Sequence, residues 1–482
     1  FNDTATTEIY TILFVGSVRC GIRDSTPGSG LNSFASKPDE FLHGADTPSN
    51  YLDRCLDSIN AQEPEVKAWV TTRLDAVRTE AAAADQRYAS GTPLSPVDGI
   101  PIGIKDVIQT RDMPTKFGSP IFDNNETGFD SASVDALRRA GALIVGKTVT
   151  TEFAFVKPGP TRNPFDTTKT PGGSSSGSSA AVGAGMVPAA LGNQVVGSII
   201  RPAAFCGNYA IKPTLGALHM GEGLGLSQLH LGVHAASLHD MWTVASEIAE
   251  RAGGDPGFPG LYGPKTLGPK TRPKRLTFLE TEGWAKCDDT TRAAFTKYLQ
   301  QLRDMGVNIV TRNDSKLTND FELKISDAVR LCREICSFEL RWVLRQYRET
   351  GKLSDELTIW VEMAEKLTLE DYRMALATRA QMRQALAEVT PTTDAFITLA
   401  SVGSAPHIDY QADSGEAEYA YLTGDPAFNA ATSALGAPAI TLPKMALNGM
   451  PLGVQVIGAP NRDWELTNLA NWLDTQVASL SI

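Results

Sequence analysis

The stretch Gly172–Ala190, GGSSSGSSAAVGAGMVPAA, decides how the rest of the chain is read. By composition alone a glycine–serine run is a flexible linker. Here it passes at once into Ala180, Ala181, Val182, Met186 and Val187, with Leu191 just beyond. A solvated linker has no reason to continue as a packed small-residue helix, so the segment belongs inside a fold. Upstream, Leu52, Cys55, Leu56 and Ile59 fall at i, i+3, i+4 and i+7 behind Thr47 and Pro48, which predicts an amphipathic helix with a threonine N-cap. Val97–Lys105 (VDGIPIGIK) reads as a turn feeding a short strand. Ser133–Ala140 reads as a helix stopped by Gly141, and Leu143–Val145 as a buried strand. Such alternation predicts an α/β architecture.

Downstream, Glu322–Glu388 is charged and helical, with apolar stripes such as Leu323, Ile325, Val329, Leu331 and Ile335. It is expected to flank the sheet and wall one side of a pocket. Strand-like runs return at Ala395–Leu399, Ala439–Leu442 and Gly453–Ile457, and a last helix covers roughly Trp464–Val477. No internal repeat is present. The expected organisation is one elaborated α/β domain over 41–482 with a helical region at about 320–390. Residues 1–40 are set aside as disordered or artefactual, because the chain lacks an initial Met and FNDTATTEIYT resembles the translated adapter sequence found at the ends of metagenomic chains.

Composition narrows function. At 482 residues and 42% apolar the chain can bury a large core. A net charge of −11 without a long Lys/Arg run argues against nucleic acid and anionic membrane as partners. Tyr10–Val18 is too short to span a bilayer and lacks the basic flank of a signal peptide. Cys20, Cys55, Cys206, Cys287, Cys332 and Cys336 are scattered without a CxxC pair, as buried thiols of a cytoplasmic protein would be. Six histidines without HExxH spacing support no metal. No cofactor is expected.

Three chemistries compete for Gly172–Ser179. A phosphate loop needs Lys after the second glycine of GxxxxG, and Ser178 stands there. A GxSxG nucleophile elbow would centre on Ser175, with Asp394 and His407 following in the right order. Its preceding strand should be apolar, whereas Asp166–Pro171 (DTTKTP) is polar and turn-like. The third reading takes Ser174 and Ser198, 24 residues apart, as joined by a short helix out and a strand back, with Lys105 at the end of its own strand. Strand ends on one side of an α/β sheet converge.

Gly99–Asp106 (GIPIGIKD), Gly146–Glu152 (GKTVTTE), Pro171–Ser178 (PGGSSSGS) and Gly197–Thr214 (GSIIRPAAFCGNYAIKPT) resemble the amidase-signature enzymes, with further echoes at Asn429, Gly436–Pro438 and Gly449–Gly458. That family includes fatty-acid amide hydrolase, malonamidase, peptide amidase and the glutaminase-type subunit of glutamyl-tRNA amidotransferase. The resemblance runs from about Thr47 to the C-terminus. It implies a central mixed, twisted β-sheet covered by helices on both faces. It also implies hydrolysis of a small-molecule amide, with esters and carbamates (urethanes) open to the same tetrahedral chemistry.

By the resemblance Ser198 is the nucleophile, Ser174 the bridging serine held by a cis peptide after Gly173, and Lys105 the base. A lysine at its ordinary pKa is neutral only about once in 2,500 at pH 7, so the base must be destabilised as a cation, which burial among Ile102, Ile104 and Val107 would do. The resemblance places the oxyanion hole at the backbone N–H groups of Val195, Val196, Gly197 and Ser198, with Ser175, Gln194 and Gly173 around them. Ser175 is expected to bond Ser174 or Lys105. The chain departs from the family's Gly-Thr-Asp-x-Gly-Gly-Ser: Gln194 replaces Asp, Val196 replaces a small residue, and Arg201 stands three residues after Ser198 rather than two.

Lys147 and Lys212 read as lysines that support the site from behind or are structural, and His219, His230, His234 and His239 as loop or pocket-wall residues. Two other functions stay open: a glutaminase-like subunit of an amidotransferase complex, and an inactive binding protein. A homodimer is the assembly kept open.

Overall fold

The computed structural model describes residues 30–221, 225–409 and 422–482. Residues 1–29, with the Tyr10–Val18 run and Cys20, lie outside the described residues. Strands β1 (Trp69–Thr72), β2 (Pro101–Lys105), β3 (Leu143–Thr148), β4 (Ala189–Gln194), β5 (Tyr209–Lys212), β6 (His230–Ala235), β7 (Arg275–Phe278), β8 (Asn308–Val310), β9 (Ala395–Leu399), β10 (Ala439–Leu447), β11 (Met450–Ile457) and β12 (Leu480–Ser481) form a single sheet. Its order is β1-β3-β2-β4-β6-β5-β10-β11-β9-β7-β8, with β12 added beside β10. The sheet is mixed. Pairs β3/β2, β2/β4, β9/β7 and β7/β8 are parallel, and the run from β4 through β9 is antiparallel.

Alternation along the strands explains why both faces are covered. On β2–β4, Ile102, Ile104, Ile144, Ala189 and Leu191 enter one apolar cluster, while Leu143, Val145 and Ala190 enter another on the opposite face. The first cluster packs the helices Leu238–Ala252, Asp289–Asp304 and Asp463–Gln476. Opposite, Pro48–Val66, Leu74–Ala89 and Ser176–Gly183 cover one half of the sheet. The other half carries Phe396 and Ala439 beneath the helices between Lys316 and Val389. Buried strands on both faces read as continuous apolar runs, which is why they were visible in the sequence.

The Pro48–Val66 helix begins as expected, with Thr47 Oγ1 accepting from Asn50 N at 3.1 Å. The charged region resolves into Lys316–Ile325, Ala328–Arg348, Asp355–Ala364 and Leu369–Val389. Its stripe is interrupted where the first of these helices ends: Ile325, Val329, Leu331 and Ile335 are buried, but Leu323 is 59% exposed.

Residues 30–40 correct the expectation of disorder. Phe34 is buried against Phe41 and Tyr51, a short helix runs Lys37–Leu42, and Ser33 Oγ donates to Asp240 Oδ2 at 2.7 Å. An aromatic pair seven residues apart astride Lys-Pro-Asp-Glu, a helix start with proline and acids in its first turn, was the available signal. Cys55, Cys206, Cys287, Cys332 and Cys336 are free and buried. Among the described residues no helix is long and apolar enough to cross a membrane.

Candidate active site

Three segments bring the serines and the lysine together. β2 ends on Lys105, the helix Ser176–Gly183 leaves directly after Ser174–Ser175, and β4 returns beside β2 before the chain turns at 195–199 into the helix Ile200–Cys206. The helix Ser176–Gly183 lies close on the strands because its glycines permit it. A Cβ on Gly177 would sit 2.2 Å from Ala68 O and 2.3 Å from Val149 N. Ser175 N donates to Ser198 O at 3.3 Å, which stitches the two serine segments to each other. Ser174 and Ser198 both line one cavity of about 110 Å³. The peptide Gly173–Ser174 is cis.

Lys105 is fully buried. Its Nζ lies 2.7 Å from Ser174 Oγ, 2.6 Å from Asn193 Oδ1 and 3.4 Å from Asn193 O. Burial pushes its pKa well below the ordinary lysine value, because the cation loses its hydration. Ser175 Oγ donates to Asn193 O at 3.3 Å. Its partner is thus a carbonyl that it shares with Lys105, rather than Ser174 or Lys105 directly.

The turn after β4 is held by its carbonyls. Gln194 O lies 3.3 Å from His230 Nδ1, and Val195 O accepts from Gln228 Nε2 at 3.1 Å. Val196 O accepts from Gln194 Nε2 at 3.3 Å and from Ser433 Oγ at 3.1 Å, and Gly197 O from Arg201 N at 3.1 Å. In a trans peptide the N–H points opposite to the preceding carbonyl. With four successive carbonyls held, each N–H of Val195, Val196, Gly197 and Ser198 is fixed opposite the carbonyl that precedes it. Among the described residues none of the four N–H groups donates to a protein acceptor. Gln194 also accepts Ile199 N and Ile200 N on Oε1, at 2.8 and 3.1 Å. An uncharged amide thereby does the work of a helix N-cap at this position. Strand β4 stops at Gln194.

Arg201 reaches back across the site. Its Nη2 donates to Gly173 O and its Nε to Thr423 O, each at 2.8 Å. Lys147 donates to Ile108 O and Thr115 Oγ1 and pairs with Asp106, and Lys212 bonds the carbonyls of Pro213 and Ala437. Both lysines serve the scaffold. His230 and His234 are not loop residues: they lie on β6, four apart and buried, and desolvation lowers both, His234 to about 3. Asp394 is taken up by the amides of Lys274 and Arg275, His407 pairs with Asp409, and among the described residues neither is hydrogen-bonded to Ser175.

Sequence reasoning missed Asn193 and Gln228. Gln228 belongs to no spacing pattern and Asn193 stands at the threonine of the family's Gly-Thr-Asp-x-Gly-Gly-Ser; each acquires its role only where β4 and the turn before β6 meet the lysine and the 195–198 turn.

The family model described as Amidase matches residues 50–467. A glutamyl-tRNA(Gln) amidotransferase subunit from Chloroflexus aggregans is 40% identical over 212 residues, 43% of this chain and 42% of the relative. The subunit of the same name from an Anaeromyxobacter species is 35% identical over 240 residues, 48% of this chain and 45% of the relative. The chain thus spans less than half the length of the curated relatives it matches. Among solved structures, one described as an amidase superposes with a TM-score of 0.79 at 25% identity, covering 92% of this chain and all of the other. Native peptide amidase from Stenotrophomonas maltophilia gives 0.73 at 23% identity over 93% and 97%, a likeness of fold.

Proposed function

The chain belongs to the amidase family, and from that premise we propose that it hydrolyses a carboxylic amide through an acyl group carried on Ser198. The observation that carries the reading is a fully buried lysine whose amine lies 2.7 Å from Ser174 Oγ, at the rim of a cavity that Ser198 also lines. A serine hydroxyl needs a base within reach, and an amine whose pKa burial lowers is suited to the part. Ser198 Oγ attacks the carbonyl carbon while its proton passes to Ser174 Oγ and the Ser174 proton passes to Lys105 Nζ. The new oxyanion meets the N–H groups of Val195–Ser198, which are already oriented, so no reorganisation is required as charge develops. Collapse breaks the C–N bond, and the proton on Lys105 returns through Ser174 to the leaving nitrogen. Water then repeats the sequence on the acyl-Ser198 ester.

Esters and carbamates fit the same steps. The test is turnover of an anilide, a primary amide, an ester and a carbamate by the wild type and Ser198→Ala. The substitution should lower kcat by on the order of ten-thousandfold or more on every substrate turned over. Retained turnover, or labelling of another serine by a fluorophosphonate, would sink the assignment.

A second reading is favoured by the curated relatives, which are subunits of an amidotransferase. A glutaminase-like role predicts glutamine hydrolysis that appears only when a partner subunit is added. Replacement of the family's aspartate by Gln194 weighs against it.

A further inference from the structure

The lysine's surroundings contain more than a base and a bridge. Strand β2 pairs with β4 only as far as Leu191, and beyond that point Asn193 turns both its oxygens on Lys105. We propose that Asn193 is the positioning residue of the proton relay, occupying the two amine hydrogens that take no part in transfer so that the third position of Nζ faces Ser174. This role rests on Lys105 being the base.

A neutral amine has two N–H groups and one lone pair. With Asn193 Oδ1 at 2.6 Å and Asn193 O at 3.4 Å taking the N–H groups, the lone pair is left toward Ser174 Oγ at 2.7 Å. When the proton arrives, the ammonium keeps both bonds to Asn193 and only the bond to Ser174 reverses, with Nζ now the donor. Ser174 then donates onward, to Ser198 Oγ or the leaving nitrogen. The transfer therefore needs no movement of Lys105.

That both acceptors are uncharged matters as much as where they lie. A carboxylate at this place would form an ion pair and hold the ammonium. The other ionisable groups around the site do not supply that charge. His234 is buried and neutral, Asp106 pairs with Lys147, and Arg201 is turned to Gly173 and Thr423. The side-chain carbonyl of Asn193 is therefore an acceptor that orients the amine without charging it.

The test is the pH dependence of kcat/KM for wild type, Asn193→Asp and Asn193→Leu, with Lys105→Met as control. Asn193→Asp should move the acid limb up by about 1–3 pH units, the shift that an adjacent opposite charge produces. Activity at pH 7 then falls and returns on raising the pH. Asn193→Leu should lower kcat at every pH, without an upward move of the limb and without restoration at high pH. A residue of structural importance only would lose activity and melting temperature together and leave the midpoint in place. If Lys105→Met is inactive and Asn193→Asp keeps the wild-type midpoint, the positioning role is wrong and the base stands. If Lys105→Met stays active, the base assignment itself fails. Should Asn193→Asp not fold, Asn193→Ser carries the test, predicting a kcat loss with an unmoved midpoint and partial rescue relative to Asn193→Leu; equal losses in Ser and Leu would overturn the role of the side-chain oxygen.

Discussion

Two regions border the same cavity and are built on opposite terms. Every residue from 170 to 194 is buried, and polar groups there are held by hydrogen bonds at fixed distances. The helices between Lys316 and Val389 contribute Arg333, Cys336 and Trp360 to the cavity, yet they leave Leu323, Trp342, Ile359, Leu369 and Met374 substantially exposed. One region leaves almost no freedom to a side chain. The other is a more exposed layer over the neighbouring half of the sheet. The contrast suggests a division of labour in which the sheet-borne segment fixes the chemistry and the helical wall decides what is admitted.

The largest effect is expected where the first region has no slack. In Gly177→Ala the new Cβ would meet two main-chain atoms at 2.2 and 2.3 Å, and neither Ala68 nor Val149 can give way without shifting its strand. A loss of about 3 kcal/mol in unfolding free energy, the upper end of the usual overpacking cost, is expected at such a site, read by denaturant titration. Near-wild-type stability would show that the helix can lift from the sheet and that the region is less rigid than drawn.

A smaller effect is expected at the seam between the regions. Gln228 is fully buried; its Oε1 faces Arg379 Nη1 at 3.5 Å, which turns its Nε2 to Val195 O, Cys332 O and Cys336 Sγ at 3.1, 3.3 and 3.4 Å. It ties the helix Ala328–Arg348 to the carbonyl whose restraint aims the Val196 N–H. Gln228→Met keeps the volume and removes the donor. It should lower kcat by about tenfold to a hundredfold, less than outright deletion of an oxyanion donor, with KM changed little. A rise in KM with kcat intact would move Gln228 from the chemistry to substrate admission.

How much of this was readable follows the same boundary. Where burial on both faces forces apolar runs, as in β2, β3, β9, β10 and β11, period and composition were enough. Thr47 announced its helix because capping is local. Lys105, Ser174 and Ser198 were reached through motif resemblance and the convergence of strand ends, and the structure sets Lys105 beside Ser174 and opens both serines onto one cavity. His230 and His234 lie on β6 rather than in the loop or pocket wall that the sequence predicts, because two histidines on one face of a strand look, in sequence, like two on a loop. Asn193, Gln228 and the carbonyl pins of the 195–198 turn were invisible, since a lone amide carries no period and the partners in these contacts lie up to 237 residues apart.

The smallest effect is expected in the wall itself, and it asks most of the comparison. Trp360 packs its ring edge-on to Phe155 with centroids 4.5 Å apart, and with Arg333 it stands between the cavity beside the serines and a second, charged cavity of about 540 Å³. Trp360→Leu keeps an apolar side chain on the helix Asp355–Ala364 but thins the partition. If the wall governs admission alone, kcat on a small anilide stays within about twofold, while KM shifts by about tenfold, the low end of the scale on which apolar pockets discriminate. Bulkier amides should gain relative to small ones, because the thinner partition opens toward the outer cavity. Equal falls in kcat on all substrates would mean that the wall reaches the reacting atoms, and the division between the two regions would have to be given up at Trp360.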